Sequence, residues 1–204
     1  MSTTTSESNV TEERPVPAEP IVADPAPLGL AGFAMTTLIL SLANTNTWPA
    51  GLNSALALGL VYGGAAQLLA GMWEFKRNNT FGATAFASYG AFWISFWYLI
   101  VHGNFSAADA PVVLGTFLLG WCVFTFYMTI AALRVSGAVL LVFVLLTVTF
   151  VFLTIGNFHS SVNTIKIGGW IGVATAAAAW YASFAGVTNS TFRRTILPTF
   201  PLAR

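Results

Sequence analysis

Charge is what this sequence has least of. Of its 204 residues only 7% are Asp, Glu, Lys or Arg, against 56% hydrophobic. A soluble domain carries roughly 25% charged residues, and so few cannot clothe a water-facing surface. Histidine is scarce too: His102 and His159 are the only two, and neither has a carboxylate at a spacing that would hold a metal. The lone Cys122 excludes an intramolecular disulfide. There is no Gly-x-Ser-x-Gly elbow and no serine–histidine pair within one apolar run, so the roles of an intramembrane enzyme go unfilled. No basic patch interleaved with aromatics points to nucleic acid. The expectation is a protein without metal, cofactor or enzymatic activity.

The few charges are unevenly placed. Five of the seven acids (Glu7, Glu12, Glu13, Glu19, Asp24) lie before residue 25. From Leu28 to Phe192 the charged residues are Glu74, Lys76, Arg77, Asp109, Arg134 and Lys166, all of them between apolar runs. Residues 1–23 are rich in Ser, Thr, Glu and Pro. Such a segment buries too little surface to offset its ordering entropy, so it reads as a mobile tail. Lacking a basic start and an apolar core, it does not read as a signal peptide.

What the sequence does have is six long apolar runs, at about 28–44, 50–72, 80–101, 111–133, 138–156 and 167–187. Each approaches the ~20 residues that cross ~30 Å of hydrocarbon as a helix. The runs are continuous, not alternating, which favours helices over a barrel. The expected fold is an all-α membrane protein: a compact bundle of six transmembrane helices over residues 24–192, then a short tail at 193–204. With the N-terminus inside, Arg14, Lys76, Arg77, Arg134, Arg193, Arg194 and Arg204 lie inside and only Lys166 lies outside. That bias places both termini in the cytoplasm.

Polar residues within the runs are the candidates for function. Gly59, Gly63, Gln67 and Gly71 recur every four residues and share one helical stripe. The glycines suit close helix packing. Gln67 needs a partner in the bundle or a wet path, since an unsatisfied amide in hydrocarbon is costly; both readings stay open. Phe33, Thr37, Leu40 and Asn44 share a side of the first run, with Thr36 beside them. Phe86, Tyr89, Trp93, Phe96 and Ile100 form an aromatic face in the third, which suits a core or a lipid belt. Ser88 and Tyr89 put two hydroxyls at membrane depth. Asn157 reads as a helix C-terminal residue.

Ordered motifs then add a resemblance. Asp24-Pro25-Ala26-Pro27-Leu28-Gly29-Leu30 precedes Gly32-Phe33-Ala34-Met35-Thr36-Thr37. Tyr62-Gly63-Gly64-Ala65-Ala66-Gln67, Ala70-Gly71-Met72-Trp73-Glu74, Asn79-Thr80-Phe81-Gly82 and Ser88-Tyr89-Gly90-Ala91-Phe92-Trp93 follow, then Gly156-Asn157 and Gly169-Trp170-Ile171-Gly172. Across nearly all of residues 24–198 the chain resembles the acetate uptake transporter family of bacterial succinate–acetate permeases and fungal acetate transporters. It departs at Asp24, where the family motif usually begins with Asn.

The resemblance implies a homo-hexamer with a pore through each protomer, carrying acetate and similar short monocarboxylates, with succinate as a further candidate. It implies an apolar constriction of Phe33, Tyr89 and Leu146, beside polar groups at Thr36, Thr37 and Gln67; Ser88 and Asn157 join them as candidate substrate contacts. Glu74 matches an acidic position tied to transport and Ala179 a small position tied to substrate range. Uncharged donors, among them the Tyr89 hydroxyl, would replace water around an anion without trapping it, and conduction requires such weak sites. Two other readings remain: a channel for ammonia, water or protons, and a membrane sensor or scaffold whose acidic tail binds partners.

Overall fold

The computed structural model describes residues 22–202. The helices are α1 (Ala26–Asn44), α2 (Gly51–Leu60), α3 (Gln67–Lys76), α4 (Thr80–His102), α5 (Ala110–Ala132), α6 (Gly137–Phe158) and α7 (Val162–Phe192). A π-helical turn, Val61–Ala66, joins α2 to α3. The result is six rods, each long and apolar enough to cross a membrane, the second being Gly51–Lys76. The all-helical, six-span architecture is therefore as expected. Most of the 1–23 segment lies outside the described residues.

Local signals set the helix ends. Pro27 and Pro111 sit in the first turns of α1 and α5, where their missing N–H breaks no bond. Asn79 caps α4 by accepting from the Gly82 N–H at 3.1 Å, and Ser136 caps α6 from the Val139 N–H at 3.3 Å. Asn46 and Asn78 adopt positive φ in the turns after α1 and α3, a conformation asparagine tolerates better than most residues.

The structure corrects three boundaries. The second span does not stop at 72 but runs to Lys76, which puts Glu74 inside the helix and wholly buried. It is not a regular α-helix either, because hydropathy is blind to the extra residue of a π turn. The last span begins at Val162, not 167, and ends at Phe192; Lys166 is thus helical. Its polar first turn is held by Ser161 as N-cap, so helix formation there does not depend on apolar residues.

The spans form a ring in the order α1, α2–α3, α4, α5, α6, α7, with α7 packing back on α1. Missing side chains bring most neighbours close. A Cβ on Gly32 would fall 2.6 Å from the Tyr62 carbonyl oxygen, and one on Gly90 2.6 Å from the Leu68 nitrogen. A Cβ on Gly71 would strike the Ala87 nitrogen, and one on Gly169 would lie 2.9 Å from the Ser41 carbonyl oxygen. The seam between α4 and α5 is different. It is filled by rings: Phe92 with Phe117 at 5.6 Å, Phe92 with Trp121 at 5.2 Å, and Tyr89 with Phe124 at 5.4 Å between centroids.

One end of the ring gathers both ends of the described chain. Asp24 pairs with Arg77, and the Ser183 hydroxyl donates to the Pro27 carbonyl at 2.7 Å. Residues 196–202 fold back: Asn189 Oδ1 accepts from the Ile196 and Leu197 N–H groups at 2.7 and 2.9 Å. The Phe200 and Thr199 carbonyls then receive the Gly137 and Ala138 N–H groups at 2.7 and 3.2 Å. Of the Lys and Arg among the described residues, this end carries Lys76, Arg77, Arg134, Arg193 and Arg194, and the other only Lys166.

Gly71→Ala is expected to destabilise the protein by about 1–3 kcal/mol through overpacking against Ala87. Gly120→Ala, which adds a methyl with nothing within 4 Å inside α5, should hold stability or raise it by up to about 1 kcal/mol. Thermal unfolding of the two variants in detergent checks the pair.

Candidate functional site

Among the described residues a cavity lies inside the ring toward each end. The larger, 190 Å³, opens between Leu40, Asn44, Ile100, Leu114 and Asn157. A water needs about 10–15 Å³, so it holds several. The smaller, 80 Å³, reaches Ala26, Glu74, Asn79 and Val135 at the end that gathers the termini. Three residues line both cavities, and they are Phe33, Tyr89 and Leu146.

These three come from α1, α4 and α6. Phe33 and Tyr89 meet at 5.7 Å between ring centroids, and Tyr89 touches Phe143 at 6.0 Å. All three are buried. Tyr89 is further fixed by a 2.8 Å bond to Thr125 on α5. Thr125 spends its own proton on the Trp121 carbonyl at 2.7 Å, so the Tyr89 hydroxyl is the donor in that bond. Contrary to expectation, the Tyr89 proton is therefore not free for a passing anion.

The other expected site residues divide. Thr37 and Asn157 line the larger cavity, and Gln67 and Glu74 line the smaller. The Asn157 amide donates to the Leu153 carbonyl at 2.8 Å. Thr36, Ser88 and Ala179 line neither cavity. The Thr36 hydroxyl is tied to the Gly32 carbonyl at 2.9 Å and packs beside Gly63. Ser88 is half-buried, and Ala179 is closed within the helix interface. The π turn Val61–Ala66 changes the helical rotation between Gly63 and Gln67, and Gln67 lines the smaller cavity.

Glu74 and Asn79 form a corner between α3 and α4. The Asn79 amide donates to Glu74 Oε2 at 2.9 Å while its oxygen caps α4. Glu74 Oε1 and Gln67 Oε1 are buried without a partner. A Cβ on Gly82 would come within 2.9 Å of Glu74 Oε1, so the glycine makes room for the carboxyl. Asp24 lies nearby: it accepts from the Ala26 N–H at 3.1 Å and pairs with Arg77. An Asn at position 24 would keep the first bond and lose the ion pair.

Neither Asn79, which appears in the sequence only as part of a motif, nor Thr125 is among the site residues expected from sequence. Asn79 carried a readable signal, a capping residue just before an apolar run. Thr125 carried none, because its role depends on which helix faces Tyr89. Among the described residues no group of three or more His, Cys, Asp or Glu is placed to hold a metal.

Asn79→Ala should lower stability by about 2 kcal/mol, since it removes a helix cap and leaves a buried carboxyl unpartnered. Asn79→Ser, which keeps a capping oxygen, should lose less. Thermal melts in detergent give the order.

The narrow, mostly apolar cavities, with Glu74 as the one ionisable carboxyl in their walls, suit passage of a small solute, and comparison with known proteins agrees. The succinate-acetate/proton symporter SatP of Escherichia coli is 42% identical over 179 residues, covering 87% of this chain and 95% of that protein. Ammonia transport outward protein 2 of Saccharomyces cerevisiae is 40% identical over 178 residues, covering 82% of this chain and 62% of that one. The solved structure of the bacterial acetate channel SatP superposes with a TM-score of 0.82 at 42% identity, covering 87% of this chain and 99% of the other. A family profile matches residues 7–204, and the chain belongs to the GPR1/FUN34/yaaH family.

Proposed function

We propose that this multi-pass membrane protein carries acetate and similar short monocarboxylates, with succinate as a further candidate, between the two cavities of each protomer. Phe33, Tyr89 and Leu146 form the constriction. The observation that supports this most is that these three side chains, from three helices, are the whole set common to both cavity walls. The matched symporter and the matched channel structure both bear the name SatP, and both are named for acetate transport.

The chemistry is one of weak sites. A bare carboxylate does not enter hydrocarbon as an ion, and a fixed cation would hold it too long. Here the larger cavity offers hydroxyl and amide groups without a Lys or Arg. The apolar ring then selects for size and admits the methyl end of a short acid. Gln67 and Glu74 line the smaller cavity, where the Gln67 amide N–H groups are the donors suited to an anion. The basic end of the ring lies in the cytoplasm, by the same charge bias that orients other membrane proteins. The protomers assemble as a hexamer in the plasma membrane. Apolar outer side chains such as Met72, Val123, Phe126 and Phe184 are exposed and meet lipid or a neighbouring copy.

The relative named for ammonia transport supports a second reading, passage of a small neutral base. Uptake into proteoliposomes separates the two. Labelled acetate should accumulate with voltage and pH gradient set independently, and should be competed by propionate and not by methylammonium. The reverse pattern would sink the acetate reading.

Leu146→Ala should raise uptake of a bulkier acid such as benzoate relative to acetate by about tenfold, the scale on which a few missing carbons change discrimination. An unchanged ratio, with the protein folded, would remove Leu146 from the constriction.

A further inference from the structure

Of the three residues common to both cavities, Phe33 and Leu146 are held by packing alone, whereas Tyr89 also has a polar anchor. Its ring stands among Phe33, Trp121, Phe124 and Phe143, at 5.7, 6.2, 5.4 and 6.0 Å between centroids. Ring contacts of this kind tolerate a range of angles. A hydrogen bond is far more directional. The Tyr89 hydroxyl donates to Thr125 at 2.8 Å, and among the described residues this is the only hydrogen bond between α4 and α5. Thr125 is 0% exposed and lines neither cavity. It therefore holds a wall of the path without touching the path.

Thr125 is itself held in place. Its proton goes to the Trp121 carbonyl at 2.7 Å, which leaves its oxygen free to accept from Tyr89. One turn on, the Thr129 hydroxyl meets the Thr147 hydroxyl of α6 at 2.8 Å, and Thr147 returns its own proton to the Phe143 carbonyl at 2.9 Å. Thr147 follows Leu146 in the chain. The threonines of α5 thus link Tyr89, on one side of the constriction, to the helix that supplies Leu146 on the other.

Losing the acceptor at position 125 would strand the Tyr89 hydroxyl. A buried donor without a partner is costly. The open space beside it is the pair of cavities that Tyr89 already lines, and water there accepts a hydrogen bond. A swing toward either cavity would carry the ring off Phe33 and widen the gap to Leu146.

We infer that Thr125 is a positioning residue of the constriction: by holding the Tyr89 hydroxyl from outside the path, it sets the largest acid that passes. The inference rests on the passage of monocarboxylates between the two cavities proposed above.

Uptake of benzoate and of acetate by the full chain in proteoliposomes gives a ratio that reports the constriction. Thr125→Val keeps the shape and removes the acceptor. It should raise the benzoate-to-acetate ratio about fivefold, the weight of one neutral hydrogen bond. Thr125→Ser keeps the acceptor and should hold the wild-type ratio. In a Tyr89→Phe background, which has no hydroxyl to hold, Thr125→Val should change the ratio no further. With tyrosine Cζ labelled in nanodiscs, the Tyr89 resonance, assigned by its loss in Tyr89→Phe, should shift in Thr125→Val and stay in place in Thr125→Ser. A ratio unchanged by Thr125→Val overturns the inference. An equal rise in the Tyr89→Phe background also overturns it, because that would mark a packing defect. Should Thr125→Val fail to fold, Thr125→Ala takes its place in both backgrounds. Wild-type protein that takes up neither acid would instead refute the transport reading, and the resonance would still show whether Thr125 holds the ring.

Discussion

Where α1, the second span and α4 meet, glycines hold the backbones so close that a methyl group has no room, and the position of the aromatic rings follows from that contact. Gly32 lies on the Tyr62 carbonyl, Gly71 on Ala87, and Gly90 on Leu68. Lipid gives helices no hydrophobic reason to associate, so such contacts and interhelical hydrogen bonds must hold them. A ring of six helices cannot be equally tight everywhere if an interior is to remain. The slack is taken up at the α4–α5 seam, where Phe92, Phe117, Trp121 and Phe124 stand between the backbones. Tyr89 belongs to both systems. It sits on the glycine-bound helix, and its hydroxyl reaches across the seam to Thr125. That single bond ties the wall that cannot move to the wall that is propped open.

The interior is mostly apolar, with scattered uncharged polar groups and a carboxyl at one corner. Most hydroxyls in it are returned to their own helices, as with Thr36, Thr149 and Thr175. Such back-bonding hides a polar group at little cost to the helix. Against this background the unpartnered groups of the cavity-lining residues stand apart: Thr37, Trp93, Gln67 and Glu74 Oε1, with Thr154 Oγ1 unpartnered away from both cavities. They fall on both sides of the Phe33–Tyr89–Leu146 ring, two in each cavity. A solute passing the ring would leave one pair of polar groups and meet another.

The fold was legible in the sequence because it is written in long-range composition. Six apolar runs and a one-sided placement of Lys and Arg need no knowledge of contacts. Phe33, Tyr89 and Leu146 were named through resemblance, and nothing in periodicity would have chosen Tyr89 over Phe86 or Phe96. The losses have physical causes. Glu74 read as a loop residue because hydropathy counts a carboxylate as surface, whereas Asn79 and Gly82 make a buried place for it. The π turn escaped because it changes rotation and not polarity. Thr36 was credited with a free hydroxyl that its own helix consumes. Trp93 was read as bulk, since an indole N–H declares itself only when its surroundings fail to bond it.

The folded-back segment at residues 196–202 has a consequence for the order in which the protein is made. The first amides of α6, at Gly137 and Ala138, receive their partners from Phe200 and Thr199. Those carbonyls are synthesised after the whole of α6 and α7. Until then the start of α6 must hydrogen-bond to water or lipid headgroups, which keeps it at the membrane surface. Val135 and Val139, which flank that point, also line the smaller cavity. The mouth of that cavity is therefore finished late in synthesis, by a piece of chain that crosses no membrane.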